Sequence, residues 1–197
     1  MNHPEYIRNL QKLTGQKLTR LDTDKAWATP NSYCVNEDQL ITLNLEGCTL
    51  KQFIIGAELA QVTFLSLARN NLREVVFDDQ VNSFALVYLD LSYNQGNLNP
   101  IIIPGPALAQ LKYLYLFRAG LRQISFTGPL ANLDTLHLAE HKLTEINLPG
   151  KWSQLVTLYL HQNQLETFTL NPKLFEKLEY LSLKENPIKN LESEDLQ

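Results

Sequence analysis

The sequence predicts an α/β solenoid, a coil of stacked repeats in which short parallel strands form a sheet along one side. Three observations predict it. A pattern with leucine at fixed positions recurs seven times, an apolar segment of period two follows most copies, and helical spacing is confined to the leader. The copies read LITLNLEGCTL from Leu40, VTFLSLARNNL from Val62, LVYLDLSYNQG from Leu86 and LKYLYLFRAGL from Leu111. They continue as LDTLHLAEHKL from Leu133, LVTLYLHQNQL from Leu155 and LEYLSLKENPI from Leu178. Their starts are 22, 24, 25, 22, 22 and 23 residues apart.

In the leader, Tyr6, Ile7, Leu10 and Leu13 fall at helical spacing between Pro4 and Leu13, and Gly15 closes the run. A helix over 4–14 is therefore expected to cover the open side of the first repeat, with Trp27 in the same cap. The expected division is an N-terminal helical cap and linker over 1–39, and a solenoid of seven repeats over 40–197.

Within each repeat, positions four and six point inward from a short strand, and the strands stack in parallel. Position nine reads Cys48, Asn70, Asn94, Ala119, His141, Asn163 and Asn186. An asparagine there can bond the backbone where the chain leaves the strand. Ala119 cannot, so that turn is expected to draw on water or a neighbouring asparagine, and Ala119→Asn is expected to stabilise. The ladder should be weakest in repeats four and five.

After each strand come LKQFII, LREVVF, LNPIII, LRQISF, LTEINL and LETFTL. Their alternating apolar residues, such as Val75/Phe77, Ile124/Phe126 and Ile146/Leu148, predict a convex side that is mostly extended, with short turns or 3₁₀ segments. In NPIIIPGPA, Pro104 and Pro106 forbid a helix and predict a local bulge. At the C-terminal end, Leu183, Ile188 and Leu191 follow the last strand with no later repeat to shield them. Self-association through that end, or its closure by residues 189–197, is expected.

From Leu40 to Ile188 the chain resembles a leucine-rich-repeat protein, since LxxLxLxxNxL at this period is that family's signature. The resemblance implies a right-handed horseshoe with a parallel β-sheet on its concave side. The leader, YIRNLQKLTGQKL, then a linker and NEDQLITLNLEGCTL, is similar to the start of repeat domains in bacterial Roco proteins. There the repeats precede a Ras-like GTPase domain and a dimerisation domain. This chain holds no G-x-x-x-x-G-K-[ST], so nucleotide chemistry would lie outside it. Free-standing bacterial repeat proteins share the same features.

A formal net charge of −4 and a pI of about 5.6 give no basic surface for nucleic acid or an anionic membrane. Two cysteines, Cys34 and Cys48, are too few for a disulfide framework, and the start lacks a secretory layout. No run of about 18 apolar residues could span a bilayer. The expected location is cytoplasmic.

HLAEH, His137 to His141, matches the inverted zinc-protease motif H-x-x-E-H. That chemistry needs a helix to bring both histidines to one face, whereas the repeat frame puts His137 on a strand and His141 in the following turn. No metal, cofactor or catalytic residue is expected, and the chain reads as a non-enzyme.

Positions three, five and seven point to the concave face. Position three reads Thr42, Phe64, Tyr88, Tyr113, Thr135, Thr157 and Tyr180; position five reads Asn44, Ser66, Asp90, Tyr115, His137, Tyr159 and Ser182. Position seven reads Glu46, Ala68, Ser92, Phe117, Ala139, His161 and Lys184, and position eight adds Arg69, Tyr93, Arg118 and Glu140. Tyrosine favours strands for its own sake, but Tyr, Phe and Arg are also the side chains that dominate protein interfaces. The expected partner-binding residues are Tyr88, Tyr93, Tyr113, Tyr115, Phe117, Arg118, His137, Tyr159 and His161. A shallow sheet offers no deep pocket, so the partner is expected to be a protein or peptide. Glycan binding through the tyrosines is the rival within the binding class. A hydrolase using His137, His161 and Glu140 is the rival outside it.

Overall fold

A computed structural model describes residues 3–94 and 96–193. The chain winds into a parallel β-solenoid. Its long sheet has nine strands, in the order Thr19–Arg20, Ser32–Asn36, Gln39–Asn44, Phe64–Ser66, Tyr88–Asp90, Tyr113–Tyr115, Thr135–His137, Thr157–Tyr159 and Tyr180–Ser182. The last seven are the repeat strands, paired in parallel without a register slip. Leu43, Leu65, Leu89, Leu114, Leu136, Leu158 and Leu181 form one row across them. Because side chains alternate across a strand, one residue of slip would turn this row out to solvent. The leucines at positions four and six are fully buried from repeat one to repeat six, and a single core runs the length of the coil.

The leader adds to the sheet. Ser32–Asn36 folds back antiparallel on Gln39–Asn44 through Glu37 and Asp38, both at positive φ, the geometry of a tight hairpin. Thr19–Arg20 then pairs in parallel with Ser32–Asn36. The expected helix spans His3–Thr14, and Ile7 and Leu10 lie in the common core. Leu13, expected on the buried side, is 60% exposed, because the buried stripe of the helix runs through Ile7, Leu10 and Thr14 and leaves Leu13 beside it. Trp27 is not a core residue either. It is 55% exposed and lies edge-on to Phe64 at 6.4 Å.

On the opposite flank the period-two segments pair as short parallel ladders: Gln52–Ile55 with Glu74–Phe77, Ile101–Ile103 with Ile124–Phe126, and Thr167–Leu170 with Asn190–Ser193. Ile146 and Leu148 of repeat five carry the same alternation without forming a strand. Pro104 and Pro106 do not exclude helix: Pro106–Leu108 is one 3₁₀ turn with Pro106 at its first position, where the missing N–H costs nothing. Its approach to the next repeat is close, since a Cβ on Gly105 would come within 2.2 Å of the Gly128 carbonyl oxygen.

The position-nine ladder is complete from repeat two onward. Asn70, Asn94, Asn163 and Asn186 each accept, through Oδ1, the amide of the leucine that ends the preceding repeat motif: Leu50, Leu72, Leu143 and Leu165, at 3.0–3.2 Å. His141 does the same through Nδ1 for Leu121, at 3.3 Å. At repeat four the sequence expectation fails. The Leu98 amide donates to the main-chain carbonyl of Ala119 itself at 3.1 Å, so neither water nor another asparagine is needed. Position eight is left-handed in every repeat, from Gly47 (φ 73°) through Arg69, Tyr93, Arg118, Glu140, Gln162 and Glu185 (φ 53–57°).

Leu183 and Ile188 are partly buried against the core. The side chain of Leu191 and residues 194–197 lie outside the described residues, and with them the expectation of a folded-over end. Among the described residues no helix is long and apolar enough to cross a membrane.

Candidate functional site

With the leucines turned inward, the outward face of the long sheet carries positions three, five and seven, in the register read from the sequence. Thr42, Phe64, Tyr88, Tyr113, Thr135, Thr157 and Tyr180 form one row, and Asn44, Ser66, Asp90, Tyr115, His137, Tyr159 and Ser182 the next.

The aromatic members touch in sequence along the sheet. Phe64 stacks on Tyr88 with ring centroids 4.5 Å apart, and Tyr88 reaches Tyr113 at 6.3 Å and Tyr115 at 5.4 Å. Tyr115 continues to His137 at 6.2 Å, His137 stacks on Tyr159 at 4.5 Å, and Tyr159 meets Tyr180 at 5.2 Å. A second tier runs from Tyr93 to Phe117 at 5.1 Å, on to His137 at 5.0 Å and then to His161 at 5.9 Å. With Trp27 at one end and Tyr180 at the other, this is one continuous aromatic surface. Eight of the nine residues expected from the sequence lie within it.

Arg118 is the ninth and sits at the rim. It is paired with Glu140 at 3.2 Å, and its guanidinium contributes charge to the edge of the face. Arg69 behaves similarly: it bonds Glu46 at 2.9 Å and lies 4.6 Å above the Tyr93 ring. Phe64 and Tyr180, at position three but outside the nine expected residues, join the same surface through their ring contacts. Trp27 could not be found that way because it lies in no repeat.

The first repeat, which holds none of the nine expected residues, adds little to this face. Thr42 and Asn44 are buried, and Asn44 Nδ2 donates to the Trp27 carbonyl at 2.9 Å. The Trp27 segment closes over this part of the sheet. Ser66, Ser92, Ala68, Ala139 and Ser182 are also buried between larger neighbours, so the accessible face is narrower than the position lists imply.

Position five has a structural use in four repeats. Its side chain accepts the amide two residues later: Asn44 from Glu46 at 3.1 Å, Ser66 from Ala68 at 3.5 Å, Asp90 from Ser92 at 2.8 Å and His137 from Ala139 at 3.5 Å. These bonds tighten the bend that leads into the left-handed position eight. Tyr115 and Tyr159 occupy the same register with a phenol too long to reach back. Two repeats therefore exchange a local acceptor for aromatic surface.

Burial sets the protonation of this face. It pushes the Asp90 carboxyl up, opposed by hydrogen bonds from Ser92 and Tyr88 and by the charge of Arg69. It raises the phenols of Tyr88 and Tyr115, with Asp90 reinforcing the shift at Tyr88 and Tyr113 at Tyr115. His137 is held down to about 4 by burial and then by neighbouring His161, so it is neutral near pH 7. With Nδ1 accepting from Ala139, neutral His137 carries its proton on Nε2.

The H-x-x-E-H match is not a metal-binding helix. His137 stands on the sheet face, His141 is buried in the position-nine ladder, and Glu140 is held by Arg118. Among the described residues there is no group of three or more His, Cys, Asp or Glu side chains able to hold a metal. Cys34 and Cys48 are both buried, and Cys48 Sγ lies 2.7 Å from Asn31 Oδ1. Burial pushes the Cys48 thiol up to about 11, which keeps it protonated.

No family model matches the chain, and no curated protein matches it either.

Proposed function

We propose that this chain is a leucine-rich-repeat binding module of horseshoe form, whose concave aromatic face takes a protein or peptide. The observation that carries the reading is the unbroken row of touching rings from Trp27 to Tyr180 on one outward sheet face. Aromatic rings locked by their neighbours lose little conformational entropy when a partner covers them, and they bury much area. The exchange of a turn acceptor for tyrosine at positions 115 and 159 supports the same reading, since fold stability alone gains nothing from it.

In this reading the helix at His3–Thr14 is the cap of the solenoid, supported by Ile7 and Leu10 lying in the same core as Leu43. A protein or peptide fits better than a glycan. Phe64 and Tyr88, and likewise His137 and Tyr159, stack on each other and so spend on each other the ring faces on which a sugar would stack. The proposal includes a cytoplasmic location and a place as the regulatory repeat arm of a bacterial Roco-type GTPase. Sequencing the gene on either side of this segment tests that parentage.

The binding claim is tested by cross-linking. A photo-reactive phenylalanine analogue at Thr135 or Thr157, in the midst of the rings, should capture a cellular protein, and the same analogue at Lys151 should not. Capture from Lys151 alone would place the partner elsewhere. An amidase or peptidase activity that falls with chelator and with His137→Ala would favour the hydrolase reading instead.

A further inference from the structure

The opposite flank carries a second surface, independent of the aromatic face. Among the described residues, Glu74–Phe77 pairs only with the strand before it, Gln52–Ile55, and Ile101–Ile103 only with the strand after it, Ile124–Phe126. The two ladders lie next to each other without joining, and the seam between them opens into a groove of about 590 Å³. Repeat three, which follows the seam, is the longest of the seven, and the stretch 78–87 that leads into it has no regular structure.

The groove is lined mainly by apolar side chains, with three carboxylates among them. Val76 is 42% exposed and Ile102 59% exposed, over Phe77, Val81 and the fully buried Phe84. Pro100, Pro104 and Pro106 also line it, and proline has no N–H to offer a ligand. Its charged lining residues are Glu74, Asp78 and Asp79, with no Lys, Arg or His among the residues that form it. None of the three carboxylates is in a salt bridge among the described residues. Among the described residues, the Asp78 and Asp79 carboxylates accept hydrogen bonds from Gln80, which is neutral.

We infer that this groove binds a short extended peptide segment of another protein, one in which aliphatic side chains are followed within a few residues by Lys or Arg. The aliphatic side chains would cover Val76 and Ile102, removing apolar surface that now faces water. The basic side chains would meet Asp78, Asp79 and Glu74, whose opposite charge steers the encounter and sets orientation. An acidic or neutral segment would gain the first contribution and forfeit the second. A segment lacking aliphatic residues would leave Val76 and Ile102 wet.

The test is selection of a random dodecapeptide phage library on the full chain, with Ile102→Glu as the counter-target. Ile102 points outward, so the variant should keep the parent's circular dichroism. Val76→Ser takes its place if it does not. The expected result is enrichment of sequences that pair aliphatic residues with Lys or Arg. A synthetic peptide of that kind should bind the parent at least about tenfold more tightly than it binds Ile102→Glu. It should weaken with added salt and on Asp78→Asn with Asp79→Asn, and bind Tyr115→Ala as tightly as the parent. Three outcomes would overturn the inference: no sequences that distinguish parent from variant, enriched sequences without basic residues, or a dimer in sedimentation that Ile102→Glu and Leu13→Ser both abolish. The last would make a second copy's leader helix, with exposed Leu13 beside Lys12, the occupant.

Discussion

The Asp90 carboxylate accepts a hydrogen bond from the Ser92 amide at 2.8 Å, closing the bend by which the chain leaves the third repeat strand. On the next strand Tyr115 stands in register with Asp90 and has no means of making that bond. Side chains that serve a fold and side chains that serve a surface compete for this position.

The competition can be measured. Tyr115→Asn restores the acceptor while removing ring contacts to Tyr88 and His137, and Tyr115→Ala removes the contacts alone. The Asn variant should therefore be more stable than the Ala variant by about 1 kcal/mol, the net worth of one hydrogen bond. Urea melts of the two variants check the order. Equal midpoints would mean that the position-five acceptor contributes nothing.

The ladder predicts that opposite substitutions at two equivalent sites both destabilise. Asn163→Ala should lose about 1–3 kcal/mol, because the Leu143 amide and the Leu138 carbonyl lose their side-chain partner, while the Leu160 carbonyl keeps Asn186 Nδ2. Ala119→Asn should also destabilise, against the expectation from the repeat pattern. Ala119 is fully buried, and the bond an asparagine would make is already made by its own carbonyl to Leu98. A rise in melting temperature for Ala119→Asn would contradict this account of repeat four.

His141 gives the fold a pH dependence. Burial is the main cause that lowers its pKa from 6.5 to about 4, with the Leu116 carbonyl opposing and His137 adding to the fall. The unfolded chain thus binds a proton that the folded chain refuses between pH 6.5 and 4, so stability is full above that window and falls as pH drops through it. Two and a half pH units correspond to roughly 3 kcal/mol as an upper figure, since local relaxation reduces it. His137 acts in the same direction, less strongly because water reaches it. His141→Asn should flatten the slope of melting temperature between pH 6.5 and 4 while keeping the bond to Leu121. An unchanged slope would show that protonation of His141 is not coupled to folding.

Gly105 lies where two outer turns nearly touch. A methyl group there would meet the Gly128 carbonyl oxygen at 2.2 Å, which requires the backbone to move. Gly105→Ala should cost on the order of 2–4 kcal/mol, as overpacking into main chain does. A thermal melt checks it, with Gly15→Ala as a reference. Gly15 has open space around it and only its positive φ to oppose substitution.

Most of the sheet was readable from the chain because the repeat fixes register. Once Leu114 and Leu116 are inward, Tyr113, Tyr115 and Phe117 have one place to go, and the strand pairs follow the pattern residue by residue. What escaped lies outside the pattern or in competition with it. Trp27 has no repeat register, and its segment is held by a bond from Asn44 Nδ2 to its carbonyl that no repeat pattern marks. Ala119 looked like a fault because a side-chain rule says nothing of main-chain substitutes. Trp152 and Phe84, both fully buried, fill space between strand and outer segment that no periodicity marks. The outer groove escaped for the same reason. It arises from a failure of two ladders to join, and each ladder taken alone reads as regular alternation.

The central claim is that the aromatic sheet face is a binding surface, and Tyr115→Asn tests it most directly. The protein captured by cross-linking at Thr135 or Thr157 is titrated by calorimetry against the parent and against Tyr115→Asn, with Tyr159→Asn as a second case. The account predicts folded variants of near-parental stability whose affinity falls about thirtyfold, the loss of roughly 2 kcal/mol typical of a central aromatic anchor. Parental affinity in both variants would contradict it.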